Sequence, residues 1–118
     1  MNKNMNDKEI ISIEDFAKLD IRVGEILNAE RVPETDRLLK LSVAMGEEAP
    51  RTIVSGIYEY FPDPQELVGV KCAFLANLEP RLIKGITSQG MILAVHTEAG
   101  DFSLFRVSEK IPAGVSAR

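Results

Sequence analysis

The run from Asp20 to Leu27 constrains this chain most. Ile21 and Val23 alternate with Arg22, then Gly24 interrupts and the apolar phase moves to Ile26 and Leu27. Side chains along a strand point to alternate faces, so a phase slip at a glycine predicts a bulge or a sharp bend. Small closed barrels need such a bend in their first long strand. The segments that follow fit the same plan. Pro33-Glu34-Thr35-Asp36 reads as a turn, after which Leu39, Leu41 and Val43 alternate with Lys40, Ser42 and Ala44. Gly46-Glu47-Glu48-Ala49-Pro50 turns the chain into a third strand, Arg51 to Ile57, and Pro62 to Gly69 holds a helical turn around Gln65-Glu66-Leu67. Val70 to Leu78 and Gly90 to Thr97 read as the fourth and fifth strands, and Ala99-Gly100-Asp101 turns into Phe102-Ser103-Leu104-Phe105.

Strands at even spacing, with no βαβ alternation, point to an all-β barrel. Five strands in Greek-key order with a helical turn between the third and fourth make the OB-fold plan; an SH3-like barrel is the rival. Ahead of the barrel, Ser12 precedes Ile13-Glu14-Asp15-Phe16 as the N-cap of a short helix, with Asp15 placed as in a capping box. Asp20 and the β-branched Ile21 and Val23 end that helix early. The expected organisation is a flexible leader over residues 1–11 and one domain over 12–118, closing on a C-terminal extension.

At 45 % hydrophobic and 27 % charged residues, the chain has an ordinary globular composition, which excludes general disorder. Its longest apolar runs fall far short of the roughly 20 residues that span a bilayer. The first nine residues are mostly polar and hold no signal-peptide core, so the chain is expected in the cytoplasm and off the membrane. Cys72 and His96 are each the single representative of their type, which excludes an internal disulfide and a thiolate metal cluster and makes His96 a poor candidate for a zinc ligand or for the base of a triad. Cys72 in its apolar run reads as a small buried hydrophobe. Phosphate-cradle, dinucleotide and serine-nucleophile fingerprints are absent, and Gly85 to Gly90 lacks the Lys-Ser/Thr pair of a P-loop. Several carboxylates stand beside arginines, as on a solvated face. No catalytic residue, metal or cofactor is expected. A net charge of −4 and a pI near 5.0 argue against a broad basic footprint, and leave room for a local one.

The informative stretch runs from Asn77 to Met91 and links the fourth and fifth strands. In an OB-fold that connection borders the oligonucleotide-binding face. Arg81 and Lys84 offer cations for phosphates, Asn77 and Ser88 can hydrogen-bond base edges or 2′-hydroxyls, and Met91 offers a soft apolar surface to a base.

Four segments carry a family resemblance: Asp15-Phe16-Ala17-Lys18-Leu19-Asp20-Ile21-Arg22-Val23-Gly24, Thr35-Asp36-Arg37-Leu38-Leu39-Lys40-Leu41, Arg51-Thr52-Ile53-Val54-Ser55-Gly56-Ile57, and the loop ending Ser88-Gln89-Gly90-Met91. In order and spacing they resemble the tRNA-binding domain family found with methionyl-tRNA synthetase, as C-terminal domain, β subunit or stand-alone protein. The resemblance implies an OB-fold that binds tRNA by its outer shape and performs no catalysis. Its binding positions fall on Arg37, Asn77, Arg81, Lys84, Ser88 and Met91; Lys40 and Arg51 are possible accessory contacts on charge alone. It further implies a homodimer joined through the N-terminal helix region and the tail Val107 to Val115, with a synthetase as a possible partner. A stand-alone accessory protein is the expected form. Family members often carry lysine where this chain has Glu79 and Leu82, which implies weak binding here. A related branch acts as a secretion-associated, peptide-binding chaperone of the same fold, and that is the alternative function.

Overall fold

The computed structural model describes residues 7–118. Residues 7–11 are exposed and without regular structure, and the rest of the expected leader, residues 1–6, lies outside the described residues. Helix α1 (Ile13–Phe16) starts at the expected capping box: the Asp15 N–H donates to Ser12 Oγ at 3.1 Å and the Ser12 N–H to Asp15 Oδ2 at 3.4 Å. With four residues, none of them buried, α1 has little to hold it beyond those caps.

Strand β1 (Ile21–Arg31) is long enough to serve two neighbours. Residues 21–25 pair with β4 (Lys71–Leu75) and residues 25–31 with β2 (Leu39–Ala44), both antiparallel. With β3 (Arg51–Ser55) and β7 (Met91–Ile92) they form one antiparallel sheet in the order β3-β2-β1-β4-β7. The five-stranded barrel and its N-terminal helix are therefore present. The irregularity sits elsewhere than its glycine suggested. Gly24 keeps unbroken register with Cys72, and the extra residue falls between Ile26 and Asn28, at Leu27. Glycine is needed at position 24 for packing instead, because a Cβ there would meet the Phe74 ring and Val43 Cγ1 at 2.6 Å.

The sheet curls until β3 meets the chain just before β7. The Gln89 N–H donates to the Thr52 carbonyl at 2.8 Å, and the Thr52 N–H donates to Gln89 Oε1 at 3.1 Å. Inside lie Ile26, Leu39, Leu41, Val43, Met45, Ile53, Cys72 and Phe74, all essentially fully buried. Between β3 and β4 the chain makes two short 3-10 turns, Tyr58–Tyr60 and Pro64–Leu67, and the second sends Leu67 into the core. Burying one leucine this way contributes about 1.5–3 kcal/mol.

The fifth strand, read as Gly90 to Thr97, divides. β7 stays beside β4, while β8 (Ala94–His96) leaves the barrel to pair with β9 (Phe102–Leu104). The tail then straps the outside. Val107 N–H donates to the Lys71 carbonyl at 2.9 Å, Val23 N–H to Val115 O at 2.9 Å and Gly114 N–H to Val23 O at 2.8 Å. Lys71 Nζ fastens this strap by donating to the carbonyls of Glu109 and Ile111 at 3.0 and 2.9 Å. No helix among the described residues is long and apolar enough to cross a membrane.

Candidate nucleic-acid interface

The connection from β4 to β7, read from sequence as the loop linking the fourth and fifth strands, folds into a hairpin of its own, β5 (Arg81–Ile83) and β6 (Ile86–Ser88). Lys84 and Gly85 join them with φ of +50° and +79°, the signature of the two-residue type I′ turn that matches strand twist. Glycine adopts such a backbone freely, whereas a lysine there costs roughly 1 kcal/mol. A cation thus stands at the hairpin tip in spite of the backbone. Arg81 is exposed, and Leu82 is 73 % exposed.

The candidate side chains divide into two groups. Arg37, in the β1–β2 loop, Arg81 and Lys84 are exposed and make no side-chain hydrogen bond or ion pair with any described residue. Met91 on β7 is also exposed. The second group is committed to the protein. Ser88 is buried, its Oγ accepting the Val54 N–H at 2.9 Å and donating to the Gly90 carbonyl at 3.3 Å. Asn77 bridges to the start of β1: its Oδ1 accepts the Asp20 N–H at 2.9 Å and its Nδ2 donates to the Lys18 carbonyl at 2.6 Å. Arg51 donates to both oxygens of Glu47, at 2.8 and 2.9 Å, and to the carbonyls of Ala76 and Gln89. That pairing holds the Glu47 carboxyl below its ordinary value through the hydrogen bond from Arg51, and raises the Arg51 guanidinium for the same reason; burial opposes both shifts. Lys40 lies between the groups, 3.5 Å from Glu30.

Strand pairing and one side-chain bond connect the elements that carry Lys40 and Arg81. Lys40 pairs with Val54, the Val54 N–H reaches Ser88, and Ser88 pairs with Arg81. β2, β3, β6 and β5 thus follow one another across the surface, the step from β3 to β6 being made by the Ser88 side chain. Arg37 lies just before β2, its carbonyl accepting the Tyr58 N–H at 2.9 Å. One further cation escaped the sequence reading. The Arg31 guanidinium lies over the Tyr58 ring, 5.6 Å from its centroid, and its Nε donates to the Thr35 carbonyl at 2.8 Å. Only the fold brings that arginine and that tyrosine together, so periodicity could not have found the pair.

The described residues hold no group of three His, Cys, Asp or Glu side chains that could bind a metal. Burial pushes the Cys72 thiol up to about 12, against a smaller opposing effect of Arg106, so no reactive thiolate forms near neutral pH.

Comparison with known proteins accords with this geometry. A family model described as "Putative tRNA binding domain" matches residues 21–116. The methionine–tRNA ligase of Deinococcus radiodurans is 46 % identical over 109 residues, which cover 92 % of this chain and 16 % of the ligase. That of Methanocaldococcus jannaschii is 44 % identical over 110 residues, 93 % of this chain and 17 % of the ligase. The chain thus spans about one-sixth of the length of these relatives. Among solved structures, a protein described as MetRS-related from Pyrococcus horikoshii superposes with a TM-score of 0.86 at 39 % identity, covering 94 % of this chain and all of that one. The chaperone CsaA of Bacillus anthracis superposes at 0.81 with 26 % identity, over 93 % of this chain and all of that one.

Proposed function

This chain belongs to the tRNA-binding domain family and is a tRNA-binding module, and we propose that it grips tRNA by its outer shape between the β1–β2 loop and the β5–β6 hairpin. The observation that carries this reading is the set of three exposed cations without partners among the described residues, Arg37 in the β1–β2 loop and Arg81 and Lys84 on the β5–β6 hairpin. Those three meet phosphates, and Met91 offers apolar surface to an exposed base. Asn77 and Ser88 belong to the interface by holding its loop in place, with most of their hydrogen-bonding capacity turned inward. Lys40 adds a cation partly neutralised by Glu30.

The role we infer is that of a non-catalytic accessory of methionyl-tRNA synthetase, acting in the cytoplasm where tRNA is charged. Exposed apolar side chains at Ile10, Ile11, Ile13 and Leu19, the last two beside Ser116 to Arg118, support a homodimer joined through the N-terminal segment. The chaperone reading ranks second, since identity to the synthetase-related structure is 39 % against 26 % for CsaA.

The test is a filter-binding titration with bulk tRNA at several salt concentrations, with a single-stranded oligonucleotide as competitor. Three neutralised phosphates give a slope of log K on log salt of roughly −2 to −3. Saturable binding that the oligonucleotide cannot displace is the expected result. Affinity indifferent to salt would refute the phosphate assignment.

A further inference from the structure

The best-connected side chain near the interface is one that the interface itself has no use for as a contact. Arg51 sits at the start of β3 with its side chain only 20 % exposed. Its guanidinium carries five donors in a rigid planar fork. The Nε and Nη2 side is docked on both oxygens of Glu47, at 2.8 and 2.9 Å, which fixes the plane. Nη1, on the other side, donates to the carbonyls of Ala76 and Gln89. Those carbonyls are the two feet of the loop that carries the β5–β6 hairpin. Among the described residues, no other side chain hydrogen-bonds to both feet.

The two feet are otherwise anchored to different parts of the fold. Ala76 donates its N–H to the Asp20 carbonyl at the entry to β1, and Asn77 holds the same entry. Gln89 and Ser88 are zipped to β3 through Thr52 and Val54. The pairing of Leu75 with Met91 closes the loop behind the feet, and the Arg51 fork is, among the described residues, the side chain that bridges the feet themselves. The direction in which Arg81 and Lys84 point follows from the spacing of the feet, because the hairpin projects from them as a unit.

We propose that Arg51 and Glu47 form a clasp that positions the hairpin for tRNA, Arg51 as the brace across the two feet and Glu47 as the group that orients it. Neither touches RNA. The proposal rests on the reading that the hairpin contacts tRNA. Its energetic logic is preorganisation: a loop held in its binding geometry does not lose that freedom on binding.

The clasp makes a prediction of opposite sign to plain electrostatics. The chain carries a net charge of −4, so removing Glu47 should on charge alone strengthen binding to a polyanion. If Glu47 orients the brace, removing it weakens binding. The experiment is filter binding of bulk tRNA to the full chain across a salt series, comparing wild type with Glu47→Gln, Glu47→Ala, Arg51→Lys and Arg51→Ala. All four are expected to weaken binding about three- to tenfold, Glu47→Gln least, while the salt slope stays that of wild type. Arg51→Lys keeps the charge and loses the fork, so its failure to restore affinity separates geometry from charge.

Equal or tighter binding by Glu47→Ala overturns the proposal. So does a fall of about 0.7–0.9 in slope on Arg51→Ala, or wild-type affinity in Arg51→Lys, either of which would make Arg51 a phosphate contact itself. Should Arg51→Ala not fold, Glu47→Gln and Arg51→Lys carry the same comparison. Absence of tRNA binding by wild type would instead refute the function proposed above, and is read before any variant.

Discussion

Two exposed regions lie outside the barrel strands, and they are built on opposite principles. The β5–β6 hairpin presents Arg81 and Lys84 to solvent and is anchored through Ser88, Gln89 and Arg51. The N-terminal segment presents Ile10, Ile11 and Ile13, and α1 buries none of its own residues. A strong anchor with a charged tip suits a folded polyanion, because it holds its cations in place for phosphates whose positions the fold of the RNA also fixes. A weakly held apolar segment suits a surface that supplies the burial it lacks. Exposure alone therefore says little, and the chemistry of what is exposed says which kind of partner completes the region.

The comparison can be broken most forcibly at the hairpin. Replacing Arg81 and Lys84 together by alanine should weaken tRNA binding about 10–100-fold at low salt and flatten the salt slope by nearly 2. Filter binding reads both numbers, and an unchanged slope would return the site to another surface. At the other region, Ile13→Asp should convert a dimer of about twice 13.0 kDa to the 13.0 kDa monomer by light scattering, with tRNA affinity per protomer retained. A wild-type mass already at the monomer value would remove the apolar half of the contrast.

Smaller effects sharpen it. Ser88→Ala leaves the buried Val54 N–H without its acceptor and should cost about 1–3 kcal/mol in denaturant unfolding, with no change in salt slope. Asn77→Ala cuts the link between the two regions and should cost about 1 kcal/mol, since its site is exposed. The smallest effect is in pH. Arg51 depresses the folded-state value of Glu47, so the clasp's contribution is full above the ordinary carboxylate value of 4.5. It is lost as pH falls through the lower folded value, and Glu47→Gln should flatten that part of the acid-unfolding curve.

Much of this architecture was legible because it rests on alternation. Leu39, Leu41 and Val43 had to share a face whatever surrounded them, and the Ser12–Asp15 cap is a local motif. What sequence could not place depends on contacts between distant residues. Gly24 looked like a bend and is a seat for Phe74, because both demands select the residue without a side chain. Arg51 looked like an RNA cation by charge, and its partners Glu47, Ala76 and Gln89 come together only once the barrel closes. Ser88 looked like a surface hydroxyl in a polar loop, while its register turns it onto β3. The turn at Lys84-Gly85 was written in the sequence, but without an Asn-Gly or Asp-Gly pair its hairpin signal was faint.

The strap along β1 has a consequence in time. Val23 receives its partners from Gly114 and Val115, at the opposite end of the chain, whereas β2 follows β1 closely. Pairings so distant in sequence are the slow ones to form, and they place this chain among small β-proteins that fold in roughly milliseconds to seconds. During synthesis the β1–β2–β3 meander can assemble early, yet the edge of β1 that bears Ile21 and Val23 stays uncovered until residues 114–117 have emerged. A bare strand edge is a template for the wrong neighbour. Shielding that edge thus waits on residues 114–117, and deleting them should appear first as aggregation of the nascent protein.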